Sequence, residues 1–548
     1  VERCEGDYLG YYVYARGPQA MFRSDLSPDL DYELFRASVD FQERGTHLPA
    51  VMNMRAYRSQ IDKIEKRDVQ IHARSYRKAK MFVSNVIRRF CPTINLLTQR
   101  QALDGIKDSD GVLEPLDFST SPGSLFSREF KTKRELIDEQ PLLFDSWCKF
   151  DWNCTMAGHT VLWPARHSLK TEKREFNKVV CETASTRLFA ASCFPQVVTC
   201  RRLFGDFIRK FYANHGKFFS AVGMDVYAGG WQRLILDVTR GGKHTRGFEF
   251  DVVKLDKNMR RKHHMAFAKL MCKMTADQKY RNAIRVAKAR DARACSISPE
   301  GYIFCLDMTN PSGDVDTVVV NTYILAVSVT YSFFRMCKKL KVKLLSYEML
   351  QEIVHHYMYG DDFFGAFHPG FEFDAELFSN LMGSLLFEVE IKCGSILERS
   401  FLGRRTFVFS IGDRDFLIPY LAFGRILAIP EFGKSSGLVE KLSRAMAARA
   451  LAFAWCFGGR TDLYVLMDMY VDYLFEVYSA DPSLSLCGSK PGPHELFIWY
   501  TGCSIGVGLN SLYLDIAKWQ ENLSNVKGKP NLLVKELAKR LSKEGVRE

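Results

Sequence analysis

Fifteen cysteines are scattered over 548 residues, yet no two stand three apart, so the C-x-x-C spacing of a zinc site or redox dithiol is missing. That excludes a short disulfide framework and leaves reduced thiols as the expected state. Acidic residues are the minority charge: 63 Asp and Glu against 76 Lys and Arg leave +13. Such an excess favours a polyanionic partner, nucleic acid being the commonest, although mere solubility would need no partner. Long hydrophobic runs are scarce. The run from Val318 to Phe334 raises a membrane question, but Asn321, Thr322, Ser328 and Thr330 interrupt it and a Pro-Ser-Gly turn precedes it. A buried core helix is expected there, and no transmembrane segment. No signal peptide precedes the charged start, and Val1 in place of Met suits a trimmed chain or a product cut from a polyprotein.

What is present is ordinary globular material, 47% hydrophobic and 25% charged, in a chain long enough for several packed subdomains. Residues 1–115 mix charges and aromatics without repeats. Ser119-Thr120-Ser121-Pro122-Gly123-Ser124 is a loop signal. Residues 164–190 are strongly basic, with Lys170, Lys173, Arg174, Lys178 and Arg187. Alternation over Gly247–Leu255 predicts a half-buried strand, and 312–335 predicts a helix. Two apolar runs around Gly360-Asp361-Asp362 predict a hairpin over 353–367 with acids at its tip. A helix over 374–387 should lead into a strand from Val389 ending at Lys392. Beyond about residue 436 the apolar spacing is helical. The chain is therefore α/β in class, with a mixed unit over 247–410 and a mainly α C-terminal part.

Three clusters can carry chemistry. Gly-Asp-Asp alone is weak, since a chain this long contains it by chance about one time in ten. Its strand-like flanks, however, would set unpaired acids on a rigid turn, and a bound cation would offset their desolvation. Asp251 at the end of an apolar strand and Asp256 five residues on supply further acids. Phosphoryl transfer between nucleotides uses two hard cations clamping the attacking and leaving oxygens, and Asp251 and Asp361 on adjacent strands would meet that need. Between them Ser312-Gly313 forms a flexible loop, and Thr317 and Asn321, four apart, share one helix face suited to a ribose 2′-hydroxyl. A strand-end acid and a helix cap are the ordinary alternatives for these residues taken singly.

The ordered set resembles the viral RNA-dependent RNA polymerases of positive-strand RNA viruses. Asp251 and Asp256 match motif A; Ser312, Gly313, Thr317 and Asn321 match motif B; Gly360, Asp361 and Asp362 match motif C. Lys170 and Arg187 resemble motif F, which holds incoming phosphates. Thr120, Pro122 and Gly123 resemble the template-guiding motif G loop. Phe401 and Leu402 resemble the primer-gripping motif E, and Lys392 the proton-donating lysine of motif D. Asn310-Pro311-Ser312-Gly313 and the Gly229–Leu234 segment point to a picornavirus- and astrovirus-like branch. In one departure Lys257-Asn258-Met259 follows Asp256, where many relatives place a Gly.

The resemblance implies a closed right hand with an α+β palm: an N-terminal extension and part of the fingers over 1–115, fingers over 116–245, palm with some fingers insertion over 246–410, and a helical thumb over 411–548. It implies Mg²⁺, with Mn²⁺ as an alternative, on Asp251, Asp361 and Asp362. Asp256, Ser312, Thr317 and Asn321 would recognise the ribose. RNA template and primer and NTPs would be the partners, joined by a viral protein primer and other viral replication proteins. The expected setting is host cytoplasm at membrane-associated replication complexes. A reverse transcriptase and an inactive RNA-binding descendant are the rivals; Asp256 and Asn321 oppose the first, and the full complement of acids opposes the second.

Overall fold

The computed structural model describes residues 8–11 and 26–539, apart from 42, 44, 63–68, 182–185, 308–309, 312, 343, 345, 435–436, 505–508, 527–529, 533–534 and 537–538. Its centre is an antiparallel sheet backed by helices. Strand β1 (Arg246–Val253) lies in the middle of the sheet. Helix α1 (Thr317–Lys339) runs behind it, and β2 (Val354–Tyr359) and β3 (Asp362–Phe367) form the predicted hairpin. Helix α2 (Ala375–Gly383) then leads to β4 (Glu388–Val389) and β5 (Lys392–Ser395). The order is β2-β3-β1, with β4 and β5 sharing the other edge of β1. The expected strand ending at Lys392 is thus two short strands, and Lys392 begins the second. A single strand does not span both, because Glu390 and Ile391 pair with nothing in the ladder.

Alternation along β1 and β3 sends aromatic rings to one face. Phe248 stacks on Phe367 at 4.2 Å and Phe250 on Phe363 at 4.5 Å between ring centroids. Such burial is the main driving force available to a sheet of this kind. α1 closes that core as the sequence predicts. Its apolar window is long enough to cross a membrane, but 83% of it is buried inside the protein. Two of its hydroxyls bond within the helix: Ser328 donates to the Ile324 carbonyl at 2.8 Å and Thr322 to that of Val318 at 2.7 Å.

A second sheet joins Ala165–Leu169 and Leu188–Ala191 to Arg293–Ile297 and Tyr302–Asp307. Residues following β1 therefore return to this second sheet before α1 begins. On the other side, β6 (Arg404–Ile411) and β7 (Arg414–Leu421) form a hairpin ahead of α3 (Phe423–Glu431), α4 (Leu438–Ala452) and α5 (Thr461–Val477). A boundary between 410 and 411 falls inside β6. Within the helical part the Arg449 guanidinium pairs with Asp468 at 2.5 Å in the core.

The hand is closed by residues 26–49. Ser27–Pro28 pairs with Phe432–Gly433, and His47–Pro49 pairs with Lys173–Glu175. Between them the helix Leu30–Ser38 packs on α5, with Tyr32 edge-on to Tyr470 at 5.0 Å. The Lys173 ammonium donates to the carbonyls of Ala428, Ile429 and Phe432, at 2.8, 3.2 and 3.3 Å, where α3 ends. A cation is favoured at that end of a helix dipole. The N-terminal segment therefore straps the helical C-terminal part to the strand Lys173–Glu175.

Candidate active site

The β2–β3 hairpin turns at Gly360 and Asp361. Gly360 has φ +64°, a conformation costly for a residue with a side chain, and its N–H donates to Thr322 Oγ1 on α1 at 2.9 Å. Thr322 escaped the sequence reading because nothing in its immediate neighbourhood marks a partner 38 residues away. Asp362 sits opposite Asp251 in the β3–β1 register, and the Val252 N–H reaches the Asp361 carbonyl at 3.3 Å. Three acids from two ladder positions and a turn therefore share one end of the sheet.

These carboxyls reach solvent, yet the surrounding strand ends and fingers displace much of their water. Desolvation comes first in raising all three. It acts on Asp251 against the charges of Arg187, Lys178 and Lys392. For Asp361 it combines with the negative charge of Asp251 to reach about 6, and for Asp362 with Asp251 and Asp361 to reach about 7. Mutual repulsion of this kind is relieved by a proton or by a cation.

Positive charge comes from Lys178 and Arg187 in the basic segment. Lys170 N–H donates to the Arg187 carbonyl at 2.8 Å, so the two residues face each other just beyond a strand pair. Arg187 Nε donates to Glu172 at 2.9 Å. Burial pulls its pKa down, but the bond to Glu172 and the fields of Glu172, Asp361 and Asp251 outweigh that and hold it raised. Glu172, which aims the guanidinium, was not foreseen. Lys392 stands opposite Glu249 in register, on the same face as Asp251 two residues on. From α3, Arg425 opposes the upward shift of Asp362, a contribution visible only once the hand closes.

The ribose candidates are partly linked. Asn310 N–H donates to the Asp256 carbonyl at 2.7 Å, and its side-chain amide donates to Asn321 Oδ1 at 2.9 Å. Thr317 spends its hydroxyl proton on the Pro311 and Asp314 carbonyls, at 2.9 and 2.8 Å. That holds the loop in place rather than offering a donor to a ligand. Gly313 lies so close to the Leu188–Ala191 strand that a Cβ would fall 2.1 Å from the Ala190 carbonyl oxygen. Ser312 lies outside the described residues.

The remaining expectations divide. Thr120 is exposed and donates to the Asp117 carbonyl at 2.8 Å while Lys133 bonds its hydroxyl. Pro122 is buried and its carbonyl accepts from Phe194 N–H at 3.0 Å, and Gly123 packs on Cys193. Phe401, expected at the primer end, is 2% exposed, and its ring stacks on Phe364 at 5.5 Å, which roots the turn in the core. Leu402, half-buried at φ +54°, is the residue at the tip. Glu249 ties this turn to β1 by accepting from the Ser400 N–H and from its hydroxyl, the latter at 3.0 Å.

The sequence model of the family described as viral RNA-dependent RNA polymerase matches residues 38–403, more than half of the chain. The chain belongs to that family. The polymerase is 24% identical over 438 residues to the genome polyprotein of Zucchini yellow mosaic virus (strain Singapore), covering 76% of this chain and 13% of the polyprotein. It is 24% identical over 412 residues to that of Blackberry virus Y, covering 74% of this chain and 11% of the polyprotein. The chain thus spans only about an eighth of these relatives. Among solved structures, Sicinivirus 3Dpol RNA dependent RNA polymerase superposes with a TM-score of 0.66 at 16% identity, covering 86% of this chain and 94% of that one. That likeness is one of fold, the closed right hand, and it agrees with the picornavirus-like placement.

Among the described residues no three His, Cys, Asp or Glu side chains converge as a ready-made metal cage. Magnesium does not require one, since it takes one or two carboxylates together with substrate phosphates and water. The oxygen-only donors Asp251, Asp361 and Asp362, held in electrostatic conflict, fit that habit.

Proposed function

We propose that this polymerase extends an RNA primer along an RNA template, joining the primer 3′-hydroxyl to the α-phosphate of an NTP and releasing pyrophosphate. The observation that carries the reading is the register of Asp251 against Asp362, with Asp361 at the adjoining turn and Arg187 facing them. Two magnesium ions on Asp251 and Asp361, with Asp362 in support and manganese as an alternative, would supply the charge that activates the hydroxyl and balances the departing pyrophosphate. Lys170 and Arg187 bind the triphosphate, an arginine fork and a lysine point charge each suiting phosphate oxygens. Lys392 gives a proton to the leaving pyrophosphate. The Leu402 turn meets the primer end, and the Thr120–Gly123 loop guides the template. Most of the catalysis assigned to the protein is positioning and charge.

Magnesium binding should depend on pH in a defined direction. The folded acids keep protons to about 6 and about 7, above the unfolded value. Metal-free stability therefore falls as pH rises through that interval. A cation replaces those protons, so Mg²⁺ should raise Tm more at pH 8 than at pH 5.5, with the difference lost in Asp361→Ala. Equal Mg²⁺ shifts at both pH values would remove the acids from the metal site.

Asp256 and Asn321 recognise the ribose 2′-hydroxyl. With its oxygen engaged by Asn310, Asn321 has its amide N–H2 end to offer a ribose oxygen. Asn321→Ala should lower the preference for NTP over dNTP by about tenfold, the worth of one hydrogen bond near the upper end of its range. Unchanged kcat/KM ratios would dismiss Asn321 from this role.

We further propose a setting at membrane-associated complexes in the host cytoplasm, with a protein primer; the polyprotein relatives support the company of other viral proteins. Membrane flotation of infected-cell extracts tests that setting; polymerase confined to the unbound fraction would reject it.

A further inference from the structure

Lysine is rarely buried without a partner, because removing an ammonium from water is costly. Lys257, in the turn directly after Asp256, is 9% exposed. Its Nζ donates to Gln60 Oε1 at 2.6 Å and to the Gln60 carbonyl at 3.1 Å. Gln60 lies in the last turn of the helix Met54–Ile61, where backbone carbonyls lack helical partners and favour a cation. A palm turn is thereby nailed to a helix almost two hundred residues earlier in the chain.

The same turn is fixed from two other directions. Asn258 donates to the Leu386 carbonyl at 3.0 Å, beside α2, and the Asp256 carbonyl accepts from Asn310. Asp256 Oδ1 accepts from the Lys257 N–H at 3.0 Å. Of these ties, the side chain of Lys257 is the one that brings a positive charge to the turn.

We propose that Lys257 is a positioning residue for sugar selection: anchored on Gln60, its buried ammonium fixes the turn and the carboxylate of Asp256 so that Asp256 can accept from the ribose 2′-hydroxyl. The proposal rests on the reading of Asp256 as a ribose contact. The electrostatics agree with it. Burial pushes the Asp256 carboxyl up, and among the influences pulling it back the Lys257 charge comes first, ahead of Arg187. The field of Lys257 also reaches the fully buried His167, where burial first and Lys257 second hold the imidazole down at about 4. This ammonium therefore shares its compartment with no second positive group from His167 at neutral pH.

The test measures kcat/KM for NTP and for the matching dNTP on an RNA primer-template, using the full chain with Asp256→Asn, Lys257→Met and Gln60→Ala. Each variant's Tm and RNA affinity are read alongside. Lys257→Met should lower discrimination by about tenfold, Gln60→Ala by less in the same direction, and the Asp256→Asn/Lys257→Met pair by no more than Asp256→Asn alone, as expected of residues acting through one route. Discrimination lost in Asp256→Asn but kept in Lys257→Met would overturn the proposal and leave the ribose reading standing. Discrimination kept in Asp256→Asn would overturn the ribose reading itself. If Lys257→Met does not fold, Gln60→Ala decides, and undiminished discrimination in it counts against the anchor.

Discussion

Asp361→Ala is expected to reduce template-directed primer extension by about 10³-fold or more while leaving RNA affinity within about twofold. The turn holding Asp361 is set by the left-handed Gly360 and by the Thr322 hydroxyl, neither of which involves the carboxylate. Removing it should therefore spare the fold. It also removes repulsion from Asp251 and Asp362, so the variant should be at least as stable as the parent in the absence of metal. RNA affinity rests on the basic excess of the chain, +13 overall, and losing an acid cannot weaken attraction for phosphate. The measurement is single-turnover extension of a labelled primer in Mg²⁺, beside filter binding of the same RNA. Extension persisting within tenfold would remove Asp361 from the catalytic centre. RNA binding lost in a folded variant would overturn the separation between catalytic acids and RNA-holding bases.

The second large effect is expected of Arg187→Ala: a fall of about 10²-fold in kcat/KM for NTPs, the scale of charge-assisted bonds to a triphosphate. A second consequence separates this role from a purely structural one. Arg187 is among the charges that hold down the carboxyls of Asp251, Asp256 and Asp361. Without it their pKa values rise, so the acid limb of the pH–activity profile should move to higher pH. Arg187→Lys should restore the pH limb more fully than the NTP affinity, because a lysine keeps the charge but loses the planar fork. A variant with weaker NTP use and an unmoved pH limb would place Arg187 away from the acids. Glu172, bonded to Arg187 at 2.9 Å, would then be its main partner.

Structure is legible in the sequence where local pattern and chemistry coincide. The hairpin with acids at its tip follows from strand-forming flanks around Gly and Asp, and β2 and β3 pair as that pattern predicts. The apolar run at 318–334 is a core helix, because its polar groups are few and Thr322 and Ser328 bond carbonyls one turn back. Phe401 shows the limit of motif matching. The motif marks the turn, but alternation and stacking on Phe364 decide that its ring faces inward. The strand placed at Val389–Lys392 failed for a related reason, since a short apolar stretch does not reveal where the ladder breaks.

By itself the sequence determined the chemical inventory of this polymerase: the acids, the basic fingers segment, the loop and helix between them, and their order along the chain. These are local facts of residue type and spacing, and each is readable within a few turns of chain. Tertiary structure alone decided which groups meet. It brought Asp362 opposite Asp251, Arg187 within the field of Asp251 and Asp361, Thr322 to the Gly360 amide, and Lys257 to Gln60. It also bent residues 26–49 into the strap that closes the hand. Contacts between residues tens to hundreds of positions apart are chosen by burial of the whole core and by sheet register, and no short window of sequence carries that information.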